Sequence, residues 1–163
     1  MTTENGQSVT SSHPIVGQHF QTPDWCCHTM VSMVPPWVHT VLEPTPGDGN
    51  LVRALQKRKF NVTAPSEFWS VTGTFDAIVM NPPFTPMSEG YRILDACMDM
   101  SDVIVALMPW LTIINSERRT ARLMRFGLKE VRHLPRYTFE GSRVQCCILH
   151  LEKNFRGQTI FVV

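Results

Sequence analysis

The sequence predicts an α/β domain built on an open, mostly parallel sheet, and three stretches carry that reading. Residues 75–80 are apolar except for Asp76, have the length and β-branched content of a strand buried on both faces, and stop at Asn81-Pro82-Pro83-Phe84. A second run of this kind, residues 103–108, is cut off by Pro109-Trp110. The third is a strand–turn–helix unit: an apolar stretch at 38–42, the turn Glu43-Pro44-Thr45-Pro46-Gly47-Asp48-Gly49-Asn50, and an amphipathic segment at 51–59. Two successive prolines can neither donate to a ladder nor continue a helix, so the chain must leave the sheet at Asn81 along an extended path. One amide, one proline carbonyl and one aromatic ring are thereby set at the carboxyl end of a central strand, where open α/β sheets bind their ligands.

The composition bounds the rest. A chain of 163 residues with 43% hydrophobic content makes one domain with a substantial core. A charged fraction of 18% and a net charge of +1 give no global signal for a polyanionic partner, so any basic surface must come from clustering. The five cysteines occur as Cys26-Cys27, Cys97 and Cys146-Cys147, with no C-x-x-C pair, and read as reduced core thiols. The histidines show no ligand spacing near acids or cysteines, so no metal is expected. No apolar stretch reaches the ~18–20 residues of a membrane span and no signal peptide opens the chain, so the expected compartment is cytoplasmic.

In chain order, residues 1–17 are polar and read as a loose tail. Thr22 is expected to N-cap a helix with Pro23 in its first turn, running to about Val34 and stopped by Pro35-Pro36. The turn at 43–50 lacks the G-x-G-x-x-G spacing that serves a pyrophosphate, and it carries a carboxylate, Glu43, where the strand ends. A ligand with a cationic group suits it better than a dinucleotide. Residues 60–65 form the next strand, but only residues 66–74 separate it from the strand at 75, too few for the usual helical crossover. Residues 89–100 and 111–126 are predicted helical, with Gly127 stopping the second. Residues 128–134 read as an edge strand, 135–143 as a polar, basic loop and 144–151 as the last clear strand. Residues 160–163 can add a short edge.

With these pieces placed, the chain resembles the S-adenosylmethionine-dependent amino-group methyltransferases, and most of all the adenine-N6 DNA group. The resemblance spans roughly residues 18–152. It rests on the order of an aromatic-x-Thr-Pro segment (Phe20-Gln21-Thr22-Pro23), a Glu-Pro-x-x-Gly-x-Gly turn (Glu43 to Gly49) and the Asn81-Pro82-Pro83-Phe84 tetrad. It implies a Rossmann-like class I methyltransferase sheet, mostly parallel with an antiparallel C-terminal strand, here shortened in the 60–74 region. It implies one catalytic domain over 18–163, with no separate target-recognition domain. The resemblance makes Asn81, Pro82, Pro83 and Phe84 the catalytic group. S-adenosyl-L-methionine would be the cofactor, its methionine part held by Glu43, Pro44, Thr45, Gly47, Asp48 and Gly49, under Phe20, Thr22 and Pro23, with Asn81 also in reach. Glu67 and Phe68 would frame the cofactor's adenine, or Glu67 would take its ribose. Pro46 departs from the family pattern, which has a small residue with a free N–H there.

The chemistry of the tetrad agrees. The exocyclic amine of adenine is a poor nucleophile because its lone pair is delocalised into the ring. Acceptors at Asn81 and at the Pro82 carbonyl would draw the nitrogen toward a tetrahedral shape, and Phe84 would stack on a base flipped from the helix. The expected substrate is DNA, with RNA or a protein glutamine amide as alternatives for the same site. A catalytically silent domain that binds nucleic acid or scaffolds a partner is the reading from another class. Eight cations lie between residues 117 and 143, of which Arg136 and Arg143, in the loop on the substrate side, are the candidate phosphate contacts. Target recognition would then come from loops, a homodimer or a partner protein, an arrangement that suits a phage or mobile-element enzyme.

Overall fold

The computed structural model describes residues 20–163, so the tail expected at 1–17 lies outside the described residues. The elements, in chain order, are α1 (Asp24–Ser32), β1 (Thr40–Leu42), α2 (Asn50–Lys57), β2 (Asn61–Thr63), β3 (Ala77–Met80), α3 (Met87–Cys97), β4 (Val103–Pro109), α4 (Leu111–Ile114), α5 (Glu117–Phe126), β5 (Leu128–His133), β6 (Cys146–Glu152) and β7 (Ile160–Val162). One seven-stranded sheet runs in the order β2-β1-β3-β4-β6-β5-β7. β6 is antiparallel to both of its neighbours and every other pairing is parallel, the expected sheet with its antiparallel C-terminal strand.

Burial explains the apolar runs. Successive side chains of a strand point to opposite faces, and here both faces are covered. Ala77, Val79, Val103, Val105 and Leu107 join the core beneath α1 and α2. Ile78, Met80, Ile104, Ala106 and Met108 join the core beneath α3 and α5. α2 buries Leu51 and Leu55, four residues apart, and α3 buries Gly90, Ile93, Leu94 and Cys97, the spacing of one helical face. All five cysteines are buried and unpaired; burial pushes the Cys97 thiol up to about 12.

Asp76, the one acid in the central run, anchors the start of the sheet. Its Oδ2 accepts from the backbone N–H groups of His39 and Thr40, both at 2.9 Å, and these bonds hold its carboxyl below the usual range. Between β2 and β3 the chain makes a single turn of 3-10 helix, Phe68–Ser70, and no α-helix, which leaves β2 as the edge strand. The shortening expected over 60–74 is therefore present.

Four local expectations are corrected. Thr22 does not cap α1; the cap position is Pro23, whose carbonyl accepts from Cys27 N at 2.9 Å, and no side chain caps this end. Residues 111–126 form two helices, because Ser116 adopts an extended conformation and its hydroxyl caps α5 at Arg119 N, 3.3 Å away. β5 is not an edge: it sits between β6 and β7, and β7 takes the edge. β1 is shorter than residues 38–42 suggest, beginning at Thr40.

Candidate active site

β1, β3, β4 and β5 run in the same direction, so their carboxyl ends share one edge of the sheet. Glu43 follows β1 there and extends its ladder, its N–H donating to Thr63 O at 2.9 Å. The side chain is 1% exposed. Its Oε1 accepts from Thr45 N at 2.9 Å and lies 3.4 Å from the Thr45 hydroxyl. These contacts do not offset the loss of hydration, and burial pushes the Glu43 carboxyl up to about 8. A positive charge brought beside this carboxyl would favour its ionised form. The turn beyond it needs glycine, since Gly47 and Gly49 take φ values of +51° and +83°.

Asn81 leaves β3 one position beyond the ladder. Its Nδ2 donates to the Phe20 carbonyl and to Thr22 Oγ1, both at 3.0 Å. A carbonyl can only accept, so the amide nitrogen must face Phe20, and Oδ1 is left without a donor among the described residues. The backbone carbonyl of Asn81 accepts from Thr45 Oγ1 at 3.2 Å, which ties the tetrad to the Glu43 turn. No N–H or O–H among the described residues reaches the Pro82 carbonyl. Phe84 is half-buried and packs on the cluster that includes Phe20 and Phe139.

α3 lies directly against the tetrad because residue 90 is glycine. A Cβ at Gly90 would stand 2.7 Å from the Pro83 carbonyl oxygen, and backbone cannot swing away as a side chain can. Alanine would add about 1 kcal/mol of helix propensity, yet Gly90→Ala is expected to lose about 1–3 kcal/mol of stability through overpacking. Urea denaturation checks the sign; a stabilised variant would refute the close contact.

These residues surround one cavity of about 450 Å³. Phe20, Thr22, Glu43, Pro44, Thr45, Gly47, Glu67, Phe68 and Asn81, all expected at a cofactor, line it, as do Pro82, Pro83 and Phe84. Pro23, Asp48 and Gly49 do not. Pro23 lines a second cleft instead, while Asp48 is exposed and its carbonyl accepts from Arg53 Nη1 at 2.7 Å. Arg136 and Arg143 are exposed in the loop joining β5 to β6, at the same sheet edge but off the cavity wall. Of the remaining cations between 117 and 143, four are engaged within the domain. Arg119 lies 3.6 Å over the Tyr91 ring, Arg122 pairs with Asp95, Lys129 with Glu152 at 2.7 Å and Arg132 with Glu130 at 2.8 Å.

One wall was not foreseen. Trp69 Nε1 donates to Glu89 Oε1 at 3.0 Å, Arg92 pairs with Glu89 at 2.9 Å, and the Arg92 guanidinium lies 4.8 Å from the Trp69 ring centroid. The cluster joins the 3-10 turn to α3, and Trp69 and Glu89 both line the cavity. An aromatic pair beside Glu67 was visible in the sequence, but nothing in it links Trp69 to an acid twenty residues on. Glu67 caps the turn through Trp69 N at 3.2 Å.

No protein-family model matches the chain, and no curated protein does. Solved structures do. A protein from Listeria monocytogenes assigned to the class I S-adenosylmethionine-dependent methyltransferases superposes with a TM-score of 0.71 at 14% identity, covering 91% of this chain and 67% of that one. The methyltransferase subunit of a type I restriction-modification system from Streptococcus thermophilus gives 0.69 at 16% identity, over 87% of this chain and 47% of that one. The 23S rRNA methyltransferase ErmE gives 0.58 at 16%, over 83% and 70%. The chain thus spans less than half the length of the restriction-modification subunit. At these identities the likeness establishes the fold, which is the Rossmann-like sheet of class I methyltransferases.

Proposed function

We propose that this chain is an S-adenosylmethionine-dependent methyltransferase acting on the exocyclic N6 amine of adenine in DNA. The observation that carries the reading is the Asn81 amide, held by Phe20 and Thr22 so that Oδ1 remains an open acceptor on the wall of a cavity containing a buried carboxyl. That donor set fits the cofactor: Glu43 would hold its cationic methionine end, and Glu67 and Phe68 its ribose and adenine. When bound, S-adenosylmethionine supplies an electrophilic methyl group. The chain's own part is orientation and electrostatics. Asn81 Oδ1 and the Pro82 carbonyl would each accept one N–H of the substrate amine, which localises the nitrogen lone pair and aims it. Proline suits this role because its fixed φ directs the carbonyl and it has no N–H of its own to satisfy. Phe84 would stack on the flipped base.

The deciding experiment offers radiolabelled S-adenosylmethionine with unmethylated DNA, total RNA and protein as competing acceptors. Label on N6 of adenine in DNA is the expected result. RNA is the second reading, favoured by the likeness to ErmE; label on RNA alone would move the substrate there. Label on a protein glutamine would overturn both.

Arg136 and Arg143 would meet the phosphates flanking the target. Replacing each by alanine is expected to reduce the slope of log K against log salt by about 0.7–0.9, weakening all sequences alike. A binding titration at several salt concentrations measures this, and an unchanged slope would remove both residues from the interface.

A further inference from the structure

A second cleft, of about 490 Å³, shares Phe20 and Gln21 with the first cavity as lining residues. Two large aromatics border it while staying open to solvent: Trp25 is 42% exposed and Tyr137 is 79% exposed. Phe20 and Phe139, their ring centroids 5.7 Å apart, also line it, and Glu140 lies at its border. None of the tetrad residues lines this cleft, so its occupant is not the reacting base. Arg136 immediately precedes Tyr137 and Arg143 closes the same loop, so two exposed cations belong to the loop that forms one wall of the cleft. Exposed aromatic rings next to arginines are how proteins hold the bases and phosphates of a single nucleic-acid strand.

We propose that the Trp25–Tyr137 cleft takes a base adjacent to the target in the same strand, stacked on these rings while Arg136 and Arg143 follow the backbone. The inference rests on the nucleic-acid reading above and narrows it: the substrate strand must be unpaired at two positions, the target and its neighbour. Glu140 disfavours a phosphate in the cleft itself and can accept from an exocyclic amine, so the neighbour is a base that carries one, adenine, cytosine or guanine, and not thymine.

The test uses fluorescence anisotropy of a labelled five-nucleotide DNA strand with a central adenine, at fixed salt. Tyr137→Ala and Trp25→Ala are each expected to weaken binding about tenfold, and Tyr137→Phe to stay within about twofold of the unmodified protein. A strand with cytosines flanking the adenine should bind more tightly than one with thymines, and Glu140→Gln should erase that difference. In transfer assays Tyr137→Ala should lower kcat/KM on the strand while leaving free adenosine unaffected. Unchanged binding in both alanine variants, or equal losses on strand and nucleoside, would overturn the cleft's role. Binding weakened by Tyr137→Ala in a protein that transfers no methyl group would sustain the cleft and overturn the catalytic reading alone.

Discussion

Asn81→Ala is expected to lower kcat for adenine methylation by at least about 10²-fold, the usual cost of removing one preorganised polar contact to a reacting group. Affinity for S-adenosylmethionine should change far less, because the Glu43 turn and the Glu67–Phe68 wall stay in place. Asn81→Asp separates the two jobs of this side chain. It keeps an acceptor for the amine but loses the N–H groups that hold Phe20 O and Thr22 Oγ1, and it sets a carboxylate against a carbonyl. That variant should retain part of the rate while binding the cofactor more weakly, since Phe20 and Thr22 form one wall of the cavity. Single-turnover kinetics with calorimetric titration distinguish the patterns. Unchanged turnover in Asn81→Ala would end the proposed mechanism.

Glu43→Gln is expected to weaken cofactor binding by at least about 10²-fold, because a buried cation loses its partner. The pH dependence makes the test sharper. With its carboxyl pushed up to about 8, Glu43 is mostly neutral at pH 7 in the free protein, and a cationic ligand must draw off its proton. Affinity should therefore rise between pH 6 and pH 8, with proton release visible as a buffer-dependent heat, and Glu43→Gln should abolish both.

The unliganded protein gives the same information through its stability. Between the unfolded value of 4.5 and the folded value of about 8 the folded state keeps a proton that the unfolded chain has released. Glu43's contribution is thus full below 4.5 and lost as pH rises through 8, a change on the order of 5 kcal/mol. His150, whose pKa burial lowers from 6.5, acts in the opposite sense, losing stability as pH falls below that value. The difference between the melting profiles of the unmodified protein and Glu43→Gln isolates the carboxyl. A profile that Glu43→Gln leaves unaltered would show that the carboxyl is not held protonated.

How much of this was legible in the sequence depended on the range of the interactions. The helix break at Ser116 was readable in principle, because Ser116-Glu117 is a local capping signal within a longer helical pattern. The role of Thr22 was misread for the opposite reason. Threonine before proline and a helical run is a cap by local rules, yet here its hydroxyl accepts from Asn81, fifty-nine residues away. The Glu89–Arg92 pair is local, three residues apart on α3, but its link to Trp69 had no local trace, since the shortened crossover brings the 3-10 turn to α3 only once the sheet has formed.

The sequence by itself determined where the candidate site lies: at the carboxyl ends of β1 and β3, beside a carboxylate and an Asn-Pro-Pro-Phe exit. Strand length, doubly buried runs and proline's missing N–H are properties of a few neighbouring residues, and they hold whatever the rest of the chain does. Only the tertiary structure decided how the site is set. The orientation of the Asn81 amide, the burial that raises the pKa of Glu43, the exclusion of Pro23 from the cavity and the contact of Gly90 with Pro83 each depend on how closely distant segments pack. Hydrogen-bond direction and desolvation change over an ångström or less, a precision that residue spacing along the chain does not encode.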